Sequence, residues 1–218
     1  MPPTTRSPTT LTPTTQAPTT ALATTTEAAA VFISVVTEID SETEARMGAS
    51  HRQGCPVALD SLRLVQVSHW DFGGQQQLGE LVVHVDHAAP ISGVFEKLFE
   101  AKFAIQQMEL VDVYGADDDL SMAANNTSAY NCREVAWRPG VWSNHAFGAA
   151  IDINPLVNPY VKGATVLPPG GASYVDRTTL GLGQIGAGDV VVEAFAAIGW
   201  TWGGDWVNSK DYQHFDYR

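Results

Sequence analysis

The chain has 218 residues, with 24 acidic side chains against 12 lysines and arginines, for a net charge of −12. That balance argues against a nucleic-acid binder, which needs a basic face for phosphates. No stretch approaches the roughly 18 apolar residues of a membrane-spanning helix. The run from Ala28 to Val36 is short and has no basic lead-in, so it reads as neither membrane anchor nor signal peptide.

The chain has two unlike parts. Residues 1–26 hold 12 Thr and 5 Pro, one charge (Arg6) and no aromatic ring. Such a segment buries too little apolar surface to offset its ordering entropy, so residues 1–30 are expected to be a disordered stalk or linker, or the product of an upstream start codon. Residues 31–218 are expected to form one domain, which carries the acidic charge.

Along that domain, Val31–Val36 is a short apolar run of undecided type, and Glu38–Arg52 is polar. Gly54-Cys55-Pro56 reads as a turn. Leu62–Val67 and Leu81–Val85 read as strands of an antiparallel hairpin with a long tip around Asp71–Gln75. Pro90–Met108 places Val94, Phe95, Leu98 and Phe99 at helical spacing. Asp117–Arg138 lacks periodicity and predicts a long ordered loop, a kind of segment that is often functional. Short strands are expected at Ala149–Ile153 and Trp200–Trp202, and a helix over Asp189–Ile198 with Gly199 ending it. Tyr160–Gly188, rich in Gly and Pro, reads as irregular. This order lacks a βαβ rhythm and predicts an α+β fold, a small antiparallel sheet with flanking helices.

Chemistry concentrates in two segments. Ser143-Asn144-His145 leads through Gly148 to Asp152, and Trp202-Gly203-Gly204-Asp205-Trp206 is followed by Asp211-Tyr212-Gln213-His214-Phe215. Imidazole and carboxylate suit zinc where thiolates are absent, and a catalytic site uses three protein ligands. His145, Asp152 and His214 would supply that set, with the small residues between His145 and Asp152 letting the backbone fold back tightly. Asp211 could relay a proton, provided the chain bends between it and His214, since residues three apart on a continuous strand face opposite ways. His84-Val85-Asp86-His87 reads as a strand end with exposed polar groups, and His51 and His69 as structural or solvated. Asp117–Asp119 reads as a solvated loop, and Trp202 and Trp206 as core and pocket wall. The overlapping Asn-x-Ser/Thr sequons at Asn125 and Asn126 carry little weight as glycosylation signals.

The pattern Ser143-x-His145-x-x-Gly148-x-Ala150-x-Asp152, with the downstream Trp-Gly-Gly-Asp-Trp and Asp-x-x-His-Phe, resembles the zinc D-alanyl-D-alanine carboxypeptidases, peptidase family M15. The likeness is to its VanY-like and endolysin L-alanyl-D-glutamate peptidase branch. It extends upstream through Asn125–Arg133 and Gly54–Val57, and so covers about residues 50–218. The resemblance implies zinc ligands at His145, Asp152 and His214, a general base and acid at Asp211, and substrate binding by Arg133 and Ser143. Arg138 competes with Arg133 for its role. It also implies a fold shared with hedgehog amino-terminal domains and a peptidoglycan stem peptide as partner. A monomer is expected, at an extracellular or wall-associated location in a bacterium. The two cysteines, Cys55 and Cys132, would then form a disulfide steadying the backbone of Arg133. Which amide bond is cut stays open between D-alanyl-D-alanine and L-alanyl-D-glutamate. A zinc-holding, non-catalytic wall-binding module is the reading from another class.

Overall fold

The structure is a computed structural model, and it describes residues 1, 30–136 and 138–218. The expected stalk therefore lies outside the described residues, apart from Met1 and Ala30. Val31–Arg218 forms one compact unit. It is α+β, with three antiparallel three-stranded sheets and one two-stranded parallel pair among the described residues.

The undecided run near the start supplies an edge strand, β1 (Ser34–Glu38), and the polar stretch after it contains a short helix, α1 (Ser41–Arg46). Asp40 caps that helix by accepting the Thr43 N–H at 2.8 Å. Then β2 (Leu62–Trp70) and β3 (Gln76–His84) pair antiparallel along nine residues each, with β1 on the free side of β2. The tip is thus shorter than expected. Asp71 closes it by accepting the N–H groups of Gly73 and Gln75, both at 2.8 Å. The outer half of β3, Gln76–Gly79, carries no apolar alternation and so gave no strand signal.

Both faces of the hairpin are buried, and strand parity sorts its side chains into two clusters. Val65, Val67, Leu81 and Val83 face the larger one, with Ile91, Phe95, Ile151, Phe195 and Phe215. Leu62, Leu64 and Val82 face the smaller one, with Met47, Leu110, Tyr130 and Cys132. Full burial of a side chain such as Phe95 or Leu98 contributes about 1.5–3 kcal/mol.

Helix α2 spans Val85–Glu100, not Pro90–Met108. His84 caps it through Nδ1, which accepts the Asp86 N–H at 3.4 Å, a start signal that histidine rarely gives. Pro90 consequently lies inside the helix rather than at its first turn. The helix stops at Ala101, and Lys102 turns with φ of 54°. The apolar spacing beyond it belongs to buried loop residues and to β4 (Gln107–Met108), which pairs parallel with β5 (Asn126–Thr127). That parallel pair departs from the expected purely antiparallel arrangement.

The expected 117–138 loop also begins with structure. Helix α3 (Asp118–Ala123) is capped by Asp117, which accepts the Leu120 N–H at 3.0 Å. The sequon residues Asn125 and Asn126 are fully buried, and Asn125 accepts from the N–H groups of Leu156 and Val157. Neither amide is open to glycosylation.

The C-terminal part carries the remaining sheets. Strands β6 (Ala150–Asp152), β7 (Tyr160–Lys162) and β8 (Thr165–Leu167) precede helix α4 (Val190–Ala197). After it come β9 (Thr201–Trp202), β10 (Lys210–Asp211) and β11 (His214–Asp216). One sheet orders β6-β11-β9 and the other β10-β7-β8, so the segment expected to be irregular holds a hairpin. Cys55 and Cys132 form a disulfide, with Cα atoms 5.8 Å apart.

Candidate metal centre

His145 sits in a 3-10 turn, Asn144–Phe147, that Ser143 caps by accepting the His145 N–H at 3.4 Å. The turn ends on Gly148 with φ of 65°, a backbone state that favours glycine. A β-carbon there would also lie 2.5 Å from the His84 nitrogen, where the chain crosses the end of the hairpin. The close crossing is held by the His84 N–H bonding the Gly148 carbonyl at 2.9 Å. From this turn the chain enters β6, whose last residue is Asp152.

Asp152 and His214 are direct partners in the β6–β11 register. The Asp152 carboxylate lies between two imidazoles: Oδ1 is 2.8 Å from His214 Nδ1, and Oδ2 is 3.1 Å from His145 Nε2. One ligand atom from each of the three residues lies within 4.8 Å of the others. His145 and Asp152 are buried, and His214 nearly so.

The state of each group fits a cation. His145 Nδ1 faces the Ala129 carbonyl, so that nitrogen carries the hydrogen and Nε2 is left with its lone pair. Nε2 is buried and has no hydrogen-bond partner among the described residues, because its approach to Asp152 lacks hydrogen-bond geometry. An orphaned buried acceptor beside a buried carboxylate is a poor arrangement unless a positive charge joins them. Burial opposes ionisation of Asp152, but His145 and His214 outweigh it and hold the carboxyl far below its usual range. Burial likewise opposes charging of His214. The carboxylates of Asp152 and Asp216 overcome that and push its pKa up to about 10 in the metal-free protein.

Asp211 arrives from the other sheet. It ends β10, opposite Tyr160, and His214 opens β11, so the chain bends between them as their spacing required. Its Oδ1 is buried without a partner among the described residues. Burial raises the pKa to about 7, Asp152 adding to the effect and His214 and His145 opposing it. Gly203 packs behind this bend: a β-carbon there would be 2.8 Å from Asp211 Cβ and 3.3 Å from His214 Cβ. Trp202 is buried in the core, stacked with Phe215, while the partly exposed Trp206 ring lies 5.6 Å from that of His214.

Segment 128–133 runs beside all of this. Ser128 and Asp152 exchange backbone hydrogen bonds, the Asn131 N–H reaches the His145 carbonyl, and the Ser143 N–H bonds the Arg133 carbonyl. Arg133 is therefore placed next to the turn that carries His145, and its Nη2 is 2.8 Å from Asp118 Oδ2. Arg138 is exposed. Ser143 is buried, with its hydroxyl engaged in the cap. Asp117–Asp119, expected to be a solvated loop, is instead a helix start in which Asp118 pairs with Arg133.

Residues 137–217 match the family model of the D-alanyl-D-alanine carboxypeptidases. Over that segment the chain is similar to peptidase family M15. The match takes in Ser143, His145, Asp152, Asp211 and His214, and leaves out Arg133, Asp118 and both cysteines. No curated protein and no solved structure matches the chain.

Around the matched segment the other histidines have structural positions. His69 is buried with Nδ1 on the Ile105 carbonyl at 3.0 Å, and His51 bonds the Tyr130 hydroxyl at 2.7 Å. His84 caps α2, and His87 packs against Trp200 and Tyr217 rather than standing free at a strand end.

Two residues at the site were not anticipated. Asp216 lies 3.6 Å from His214 Nε2 and accepts from Asn144, Thr201 and Arg218. Its position two residues after His214 on a strand puts both on one face, a signal that was available. Asp118 offered none, because only folding brings it to Arg133.

Proposed function

We propose that this chain is a zinc peptidase that hydrolyses an amide bond in peptidoglycan stem peptides, as D-alanyl-D-alanine carboxypeptidase or L-alanyl-D-glutamate endopeptidase. The observation that carries the reading is the convergence of His145, Asp152 and His214 within 4.8 Å, with the buried, unpartnered Oδ1 of Asp211 alongside. Zinc held by those three would polarise the scissile carbonyl and make water a nucleophile near neutral pH.

The chain's own residues supply the rest. Asp152 brings negative charge to the donor set and orients His214, and Asp216 holds the far side of that ring. Asp211 takes a proton from the attacking water and returns it to the departing amine, and a pKa near 7 suits both directions of transfer. Arg133 and Ser143 position the peptide: Arg133 through its guanidinium, Ser143 through the turn it caps. The kinship with the hedgehog amino-terminal fold, the extracellular or wall-associated setting and the Thr/Pro segment as a tether belong to the same proposal. The disulfide supports it, because such bonds persist in oxidising compartments.

The test is digestion of defined muropeptides with mass-spectrometric identification of the products. Activity should vanish on chelation and return with zinc, and Asp211→Asn should keep zinc but lose hydrolysis. Activity that survives chelation would refute the reading.

A further inference from the structure

The pairing of Asp118 with Arg133 changes what the arginine can recognise. Each side chain is 28% exposed, so the pair is neither sealed in the core nor spread on the surface. Arg133 follows the disulfide-bonded Cys132, and its carbonyl is tied to Ser143. Both ends of this stretch are thus fixed beside the His145 turn. The Asp118 carboxyl is pushed up by burial, Arg133 draws it down, and it lies close enough to Asp152 to feel that charge as well.

The donors of Arg133 are unevenly used. Nη2 is committed to Asp118, Nη1 makes a long 3.5 Å contact to the Glu134 carbonyl, and Nε is buried with no acceptor among the described residues. A ligand arriving here meets the loosely held Nη1 of the guanidinium, which donates, and next to it a carboxylate that accepts. A lone arginine would select an anion. Here the charges cancel, and a second carboxylate at Arg133 would stand against that of Asp118.

We infer that Asp118 is a specificity-determining residue: with Arg133 it reads a neutral carboxamide beside the scissile bond in preference to a free carboxylate. The amide carbonyl accepts from Arg133, and the amide N–H donates to Asp118. A site built to pair a donor and an acceptor discriminates against a group lacking one of them, less strongly where it is partly open to water. This inference rests on the peptidase reading above.

The experiment uses the zinc-loaded full chain and two peptide pairs. One is an L-alanyl-γ-D-glutamyl peptide with its α-carboxyl free or amidated. The other is a stem peptide ending in D-alanyl-D-alanine as acid or amide. For the pair that is cut, the wild type should favour the amide about tenfold in kcat/KM, mostly through KM. Asp118→Asn should bring that ratio to one or below, because it leaves the Arg133 charge unopposed, and Asp118→Glu should restore the preference. A wild type that favours the free acid overturns the inference without needing any variant, and so does a ratio that Asp118→Asn leaves unchanged. Cleavage of no peptide overturns the peptidase reading and this inference with it, and is distinct from cleavage with no preference, which overturns only the inference.

Discussion

His214 Nδ1 and Asp152 Oδ1 face each other at 2.8 Å across the β6–β11 pair, as direct partners in the register. Two residues 62 apart in sequence are thereby fixed by a backbone ladder, and a slip of one residue would turn one of the two side chains away from the other. Removing the Asp152 charge should therefore abolish the site without unfolding the sheet. Asp152→Asn is expected to weaken zinc binding at least 100-fold, read by competition with a chelating dye, while the far-ultraviolet circular dichroism is kept.

The titrations at the site predict opposite pH trends with and without metal. The folded pKa of His214, about 10, lies above its ordinary value, so its stabilisation is complete below pH 6.5 and is lost as pH rises through 10. The folded pKa of Asp211, about 7, is also raised, so the fold favours the protonated acid and loses stability as pH rises from about 4 through 7. The Tm of metal-free protein should accordingly fall between pH 5 and 10. Zinc must displace the His214 proton, so the Tm gain from zinc should grow over the same range, and calorimetry at pH 8 should find about one proton released per zinc. A metal-free Tm that rises with pH would contradict these assignments.

How far the sequence spoke depended on range. The cluster of His145, Asp152 and His214 was legible because His145 and Asp152 share one short motif, and the Asp-x-x-His spacing called for the bend that the structure has between Asp211 and His214. The start of α2 was not legible, since its cap is a histidine and its Pro90 imitates a first-turn proline. The outer half of β3 was hidden because Gln76 and Gln77 are polar and Gly79, though buried, has no side chain to mark the inward face. Asp118 became meaningful only when α3 brought it to Arg133, a contact that no local pattern encodes.

The disulfide should matter to both stability and substrate binding. It closes a loop of 77 residues between Cys55 and Cys132, and chain-entropy arguments value such a loop at about 4 kcal/mol. For a domain of this size that corresponds to a Tm lower by about 10 °C in Cys55→Ser. Because Arg133 adjoins Cys132, KM should rise more than kcat falls at temperatures where the variant stays folded. Steady-state kinetics at 20 °C separates the two.

Gly203→Ala tests whether the bend positions Asp211. The added methyl would meet Asp211 and His214 from behind, at 2.8 and 3.3 Å, and the nearest obstacle is the Asp211 carbonyl at 2.7 Å. The bend must yield, since backbone cannot swing aside as a side-chain tip does. We expect kcat to fall by 10- to 100-fold with zinc affinity lowered less, because Asp152 and His145 are carried on other segments. Equal losses in both would mean that the methyl disturbs His214 as much as Asp211.

Asp216 gives the sharpest test of how the ring of His214 is held. Its carboxylate is engaged by Asn144 at 2.8 Å, by Thr201 at 2.6 Å and by Arg218 at 2.9 Å, and it faces His214 Nε2 at 3.6 Å. His214, Thr201 and Arg218 hold its pKa well below the usual carboxylate range against the cost of burial, so it stays charged near neutral pH. A fixed anion behind an imidazole sets its orientation and raises its basicity, and losing such a group typically lowers metal affinity 10- to 100-fold. Asp216→Asn keeps the shape and removes the charge. Zinc affinity should fall by that factor, and the His214 pKa in metal-free protein, followed by NMR of the ring protons, should drop from about 10. Thr201→Val, which removes one donor to Asp216 and leaves its charge, should reproduce the affinity loss only weakly. If instead Thr201→Val matched Asp216→Asn, the placement of the carboxylate rather than its charge would be what His214 depends on.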